Sequence, residues 1–127
     1  MTPAEQSTPT TFPPIHGVIL FAATSQAIQG ATVYVRLEDV SRADAAARVV
    51  REAVLRDVTY VPGQATPLEW SLEGQALDER GQYAVRVHVD VDGDGHINRG
   101  DYISTESYPI SRPEQSSTMS VRVQRVE

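Results

Sequence analysis

From Ile15 onward the chain alternates apolar and polar side chains with a period of two, the spacing that sends successive residues to opposite faces of a β-sheet. Val33, Val35 and Leu37 share one face, while Thr32, Tyr34, Arg36 and Glu38 share the other. Leu68, Trp70 and Leu72 alternate with Glu69, Ser71 and Glu73. Tyr83, Val85, Val87 and Val89 alternate in the same way with Arg86, His88 and Asp90, and Met119, Val121 and Val123 repeat the pattern near the end. Turn residues punctuate these runs at Ala27 to Gly30, Pro62-Gly63, Glu79 to Gly81, the Asp/Gly stretch at 90–101 and Arg112-Pro113. The pattern predicts seven strands, over about 15–21, 32–38, 48–60, 67–73, 82–90, 102–109 and 117–126. Short strands at such spacing predict an all-β, antiparallel sandwich of the immunoglobulin or transthyretin type, each strand with one face to the core and one to solvent.

One segment breaks the pattern. Residues 43–58 are rich in helix formers, and their apolar residues recur at Ala46, Val50, Ala53/Val54 and Val58, which read alone is a helix. Ser41 followed by Asp44 resembles a helix N-cap pair, although Glu or Gln is usual at the second position. Residues 1–14 carry Pro, Thr and Ser with almost no periodicity, the composition of a disordered, solvated tail. The alternative for this segment is docking of Phe12 and the prolines along a sheet edge, where missing N–H groups do no harm. The remainder, 15–127, is of a size for one domain.

Composition removes several classes of function. With 40% hydrophobic and 22% charged residues the chain can bury a core. A net charge of -6 and the scatter of its basic residues argue against nucleic acid and against anionic membrane surfaces. There is no cysteine, hence no disulfide, thiolate site or thiol nucleophile. No apolar run reaches the roughly 18 residues of a membrane span, and Met1 to Gln6 lacks the features of a signal peptide. The expectation is therefore a cytoplasmic chain or one stripped of an export signal.

The chemically specific stretch is Asp90 to Asp101. It places Asp90, Asp92 and Asp94 at the first, third and fifth positions of an EF-hand-type loop, Gly95 at the sharp turn, the His96 carbonyl at the seventh, Asn98 at the ninth and Asp101 at the twelfth. Ile97 is expected to point inward. Carboxylates gathered within about 4 to 5 Å repel by roughly 1 kcal/mol per pair even in water, and a divalent cation converts that cost into attraction. Oxygen donors without thiolates or paired histidines favour Ca²⁺, here in a structural role. Asp101 stands where a bidentate Glu is usual, which weakens the site, and the flanks are strands instead of helices. The competing reading is an ordinary polar turn, since Asp and Gly are also turn residues.

Nothing else suggests chemistry. His16, His88 and His96 are dispersed and read as surface or loop histidines; no protease or hydrolase motif occurs, and Glu69 and Glu73 share a solvent face. The chain reads as a non-enzyme. Trp70 shares its face with Leu68 and Leu72 and is assigned to the core, not to a sugar-stacking platform.

The stretch Val35-Arg36-Leu37-Glu38-Asp39-Val40-Ser41-Arg42-Ala43-Asp44-Ala45, followed by Tyr83-Ala84-Val85-Arg86-Val87, resembles the YbaY-type lipoproteins, which are grouped with the YscW-like type III secretion pilotins. The resemblance implies a small β-sandwich of the periplasm or cell envelope, generally lipid-anchored, and in the pilotin branch a chaperone escorting an outer-membrane secretin. It also implies a turn at Ser41 to Ala45 and a strand at Val49 to Tyr60 paired with Leu68 to Leu72, against the helical pattern. The chain has no lipobox cysteine. The expectation is a binding or chaperone module whose partner is another envelope protein; a carbohydrate-binding or adhesive sandwich is the alternative.

Overall fold

The computed structural model describes residues 10–12, 14–22, 26–41, 46–64, 67–73, 75–77, 81–110 and 118–127, and its described residues contain ten strands and no helix. In chain order these are β1 (Thr10–Phe12), β2 (Ile15–Phe21), β3 (Ile28–Asp39), β4 (Arg48–Tyr60), β5 (Leu68–Leu72), β6 (Gln75–Leu77), β7 (Tyr83–Asp90), β8 (Tyr102–Ser104), β9 (Tyr108–Ile110) and β10 (Met119–Arg125).

The all-β class holds, but the antiparallel two-sheet sandwich does not. Eight strands form one mixed sheet in the order β4-β3-β7-β8-β10-β2-β5, with β9 also pairing β7, and β10 runs parallel to β2. The sheet curls until its two edge strands, β4 and β5, approach within 8 Å Cα to Cα, so it is a nearly closed barrel around a single core. Curling permits one sheet to bury its own inner face, which a flat sheet needs a second layer to do. Val33, Val35, Val87, Val89, Val121 and Val123 fill the centre, with Trp70 and Leu72 from β5 and Ile19 from β2. The alternation read from the sequence identifies these inward positions correctly.

Residues 48–60 form a strand, and the structure explains their helical spacing. Val50, Ala53, Leu55, Val58 and Tyr60 all pack on the core. The register with β3 slips between Leu37/Glu38 and between Ala31/Val33, each time with an extra residue in β4. The second slip surrounds Asp57, whose φ of 54° is left-handed. Each bulge adds one residue to the period of two. The resulting three-two-three-two spacing of inward residues imitates a helix. β4 pairs with β3 and not with β5; β5 pairs antiparallel with β2, so the expected pairing of 49–60 with 68–72 is corrected. The two meet only across the seam, without ladder hydrogen bonds.

Within the segment read as a tail, Thr10–Phe12 pairs antiparallel with Gln75–Leu77. Phe12↔Gln75 lies three residues beyond Ile15↔Leu72 on both strands, so β1-β6 continues the β2-β5 ladder in unchanged register. Pro14, between the two ladders, has no N–H to donate. The predicted turn at Ser41 to Ala45 lies mostly outside the described residues; Ser41 itself accepts a hydrogen bond from the Gln82 N–H on its Oγ at 2.8 Å.

The predicted strand 102–109 is two strands. β8 and β9 both pair with β7, and between them the Val87 N–H donates to Ser104 Oγ at 3.0 Å in place of a backbone carbonyl.

Candidate functional site

The acidic loop joins β7 to β8, and strand pairing brings its ends together. His88 lies opposite Ile103 and Val89 opposite Tyr102, so the next positions, Asp90 and Asp101, meet on the outer face of the sheet. That face is not solvated here. The loop folds back over it and leaves Asp90 0%, Asp101 1% and His88 3% exposed. Alternation had assigned His88 and Asp90 to solvent. The correction has a physical cause: a hairpin connection of this length can cover the face from which it springs.

Each buried carboxylate is held by N–H donors. Asp90 Oδ1 accepts from the Gly93 N–H at 3.1 Å and Oδ2 from the Gly95 N–H at 2.8 Å. Gly93 and Gly95 have φ of 76° and 80°, a backbone that glycine adopts without strain and that turns both amides inward. Asp101 Oδ1 accepts from the Val91 N–H at 3.0 Å, and Oδ2 accepts from the Asn98 N–H at 3.3 Å and lies 2.9 Å from His88 Nε2. His88 in turn stacks on Tyr34 at 5.6 Å, and the Arg36 guanidinium sits 4.9 Å over the Tyr34 ring while its Nε donates to Glu52. A polar row therefore runs from the loop across β7 and β3 to β4.

The two remaining carboxylates are exposed. One oxygen each of Asp90, Asp92, Asp94 and Asp101 lie within 4.8 Å of one another, and His88, Asp90 and Asp101 form a second such group. Desolvation, with a hydrogen bond shared with Asp90, raises the Asp92 carboxyl above its ordinary value. The Asp94 carboxyl is lowered, first by the His96 N–H that donates to its Oδ1 at 2.9 Å and then by the Asn98 amide that donates to Oδ2 at 2.7 Å.

Of the residues singled out in the sequence, Asp90, Asp92, Asp94 and Asp101 thus come together. His96 is exposed and contributes its N–H to Asp94. Ile97 is 52% exposed and is not the inward anchor that loop spacing suggested. One participant, His88, went unread, whereas Asn98 had been placed at the ninth loop position. His88 was assigned to the surface although it stands two residues before Asp90, on the same face. Asn98 Oδ1 is buried and is the sole such side-chain atom among the described residues without a hydrogen-bond partner. With Nδ2 committed to the Asp94 carboxylate, the orientation of this amide is fixed.

A second feature lies at the seam. A shallow depression of about 490 Å³ opens where β4 meets β5, lined by His16, Val18, Leu55, Glu69, Trp70 and Ser71. Its floor depends on Gly17, whose missing side chain leaves room for the Trp70 ring. Trp70 is 3% exposed and donates its indole N–H to the Val18 carbonyl at 3.3 Å, as expected of a core residue. Trp70, Tyr83 and Tyr102 are buried and Tyr34, Tyr60 and Tyr108 half-buried, so the described residues present no exposed aromatic row of the kind a sugar platform requires.

Comparison with known proteins places this architecture. The family model for the type III secretion system lipoprotein chaperone YscW matches residues 11–123. The chain belongs to this family. An alternative pilotin from the type II secretion system of Vibrio cholerae has a similar structure, with a TM-score of 0.64 and 26% identity over 93% of this chain and 99% of that one. A search of curated proteins gave no match. The YscW-like fold thus accounts for nearly the whole chain, and the resemblance carried by Val35 to Ala45 pointed to the right family. No helix among the described residues is long and apolar enough to cross a membrane.

Proposed function

We propose that this YscW-like protein is a non-enzymatic cell-envelope chaperone of the pilotin kind, which binds another envelope protein, a secretin-type outer-membrane subunit, and holds a structural Ca²⁺ in its β7-β8 loop. The likeness in structure over almost the full length of both this chain and a type II pilotin carries the chaperone reading. The seam supplies a surface suited to it: apolar Val18 and Leu55 beside exposed Glu69 offer anchorage for a segment with an apolar side chain and a basic one.

The experiment is deletion of the gene, followed by measuring the organism's secretin in membrane fractions. Secretin multimers fall in the deletion and return with the wild-type gene, but not with Leu55→Asp, which places a charge at the seam. Undiminished multimers in the deletion refute the chaperone role.

The Ca²⁺ reading is supported by the four convergent carboxylates and by the buried, donorless Asn98 oxygen beside them. All are hard oxygen donors, and two of the carboxylates are already buried, so the ion need not desolvate them. Ca²⁺ at a hundredfold excess over its Kd adds about 2.7 kcal/mol of stability by mass action. Thermal unfolding in EDTA and in excess Ca²⁺ or Mg²⁺ tests this. A rise in Tm with Ca²⁺ and a smaller one with Mg²⁺ is expected; an unmoved Tm removes the ion.

A further inference from the structure

The outer face of β3 and β7 carries an arrangement that the stability of the sheet does not explain. Arg36 on β3 lies directly opposite Arg86 on β7, between the pairs Tyr34↔His88 and Glu38↔Ala84. Directly opposed side chains have Cβ atoms about 4.5 to 5.5 Å apart, and like charges so placed are destabilising. Each arginine has a glutamate, but neither glutamate lies between the two. Glu52, on the β4 side of Arg36, accepts from its Nε at 2.6 Å, and Glu38, two residues along β3, accepts from Arg86 Nε at 3.1 Å. A guanidinium has five N–H donors, so each keeps donors for a second acceptor. The Tyr34 ring, 4.9 Å from the Arg36 guanidinium, steadies one of them in place.

Beside the pair, toward the β7-β8 loop, is a depression of about 30 Å³ lined by Arg36, Arg86, Val87, His88, Ile97 and Ile103. None of these is acidic, and Asp101, beyond His88, is turned to His88 Nε2 and to the N–H groups of Val91 and Asn98. The walls are therefore two cations and two branched apolar side chains, of which Ile97 is 52% exposed. One water molecule occupies roughly 30 Å³ in the liquid, so the space admits the end of a side chain and excludes a sugar ring or a base. Charge and size together call for a carboxylate, whose two oxygens match the guanidinium fork. We infer that Arg36 and Arg86 form a carboxylate site for a partner protein: an acidic side chain of the partner bridges the two guanidinium groups, and its apolar neighbour rests on Ile97 and Ile103. The bridging charge turns the repulsion between the arginines into attraction, so the pair that weakens the free sheet strengthens the complex. The site shares no lining residue with the β4-β5 seam, and it rests neither on the chaperone reading nor on an ion in the loop.

The test is a titration of the isotope-labelled full chain, followed by NMR at the arginine Nε–H and backbone amide signals. The probes are acetyl-Gly-Glu-Leu-Gly-amide, the same peptide with Gln in place of Glu, and inorganic phosphate. With the Glu peptide, saturable shifts are expected at Arg36, Arg86, Ile97 and Ile103, and none at Arg122, an exposed arginine of β10. The Gln peptide is expected to bind about tenfold more weakly, as befits the loss of a charged hydrogen-bond partner. Arg86→Gln weakens the Glu peptide by a similar factor, and Arg122→Gln leaves it unchanged. Absence of saturable shifts, equal affinity for the two peptides, or unaltered binding by Arg86→Gln overturns the proposal. Tighter binding of phosphate than of the Glu peptide overturns the choice of an acidic side chain and assigns the arginines to a phosphate group. The peptide comparison is made on the unaltered protein, so a misfolded Arg86→Gln does not spare the proposal.

Discussion

Gly17→Ala is the sharpest probe of how this sheet closes. Gly17 lies opposite Met119 in the parallel β2-β10 pair and opposite Trp70 in the antiparallel β2-β5 pair. A Cβ built there overlaps the Met119 carbonyl oxygen and comes within 2.6 Å of Trp70 Cζ2 and 2.9 Å of Cε2. Carbon contacts are comfortable at about 3.5 to 4.0 Å, so the ring must retreat by roughly 1 Å. Trp70 is 3% exposed and belongs to the core cluster with Ile19 and Leu72, so it has little room to retreat. The carbonyl is worse, because it is backbone and moves only if β10 and β2 part. Overpacking commonly costs 1 to 3 kcal/mol, and a backbone obstacle places this case near about 3 kcal/mol. For a chain of this size that is a fall in Tm of about 10 °C. Urea unfolding followed by far-ultraviolet circular dichroism gives the free energy, and emission of the chain's single tryptophan reports the ring. A displaced indole loses its bond to the Val18 carbonyl, and its emission shifts. If Gly17→Ala stays within about 0.5 kcal/mol of the wild type with unchanged emission, Trp70 does not lie across this strand and the account of the seam fails.

Further outcomes follow from individual contacts. Ser104→Ala leaves the buried Val87 N–H without its acceptor and costs about 1 to 3 kcal/mol in urea unfolding, whether or not Ca²⁺ is present. Asp90→Ala removes the acceptor of both the Gly93 and Gly95 N–H groups, so it lowers stability by a similar 1 to 3 kcal/mol in EDTA and also abolishes any rise of Tm with Ca²⁺. If the loop holds Ca²⁺ as proposed, acidification weakens it in a set order. Asp92, raised by desolvation and by Asp90, takes up a proton before Asp94, which is lowered by the His96 N–H and the Asn98 amide. Calorimetric titrations at stepped pH should show affinity falling as Asp92 is protonated, with Asp92→Asn moving that onset downward.

How much of this was legible in the chain depended on the range of the interactions. The bounds of β2 and the inward residues of β3, β5, β7 and β10 are local properties of alternation, and they read directly. The bulges of β4 are also local in origin, yet they disguised a strand as a helix. Each inserted residue moved the next apolar side chain from two positions away to three, giving Val50, Ala53, Leu55, Val58 and Tyr60 a mixed period. Asp57 at positive φ is the clue, since Asp tolerates the left-handed region better than most residues. Pairing partners were not legible, because a parallel β2-β10 contact joins residues about a hundred positions apart and nothing in either strand names the other.

The loop divides along the same line. Its ligand spacing is a local pattern, and the four carboxylates it nominated do converge. What spacing could not convey is that Asp90 and Asp101 are a cross-strand pair at the end of β7 and β8, buried beneath the residues they bracket. Such burial changes their chemistry. Two carboxylates in an exposed turn would be solvated separately by water, and a bland polar loop would be an adequate description. Here they are buried beside His88, accept from the backbone N–H groups of Val91, Gly93, Gly95 and Asn98, and belong to a loop whose Asn98 amide oxygen has no hydrogen-bond partner. Buried negative charge held by N–H groups alone can accommodate more positive charge than it has, and the unmatched Asn98 oxygen adds a further acceptor on the same side of the balance. The burial of Asp90 and Asp101, more than the Asp-x-Asp-x-Asp spacing, is what distinguishes this loop from an ordinary solvated turn.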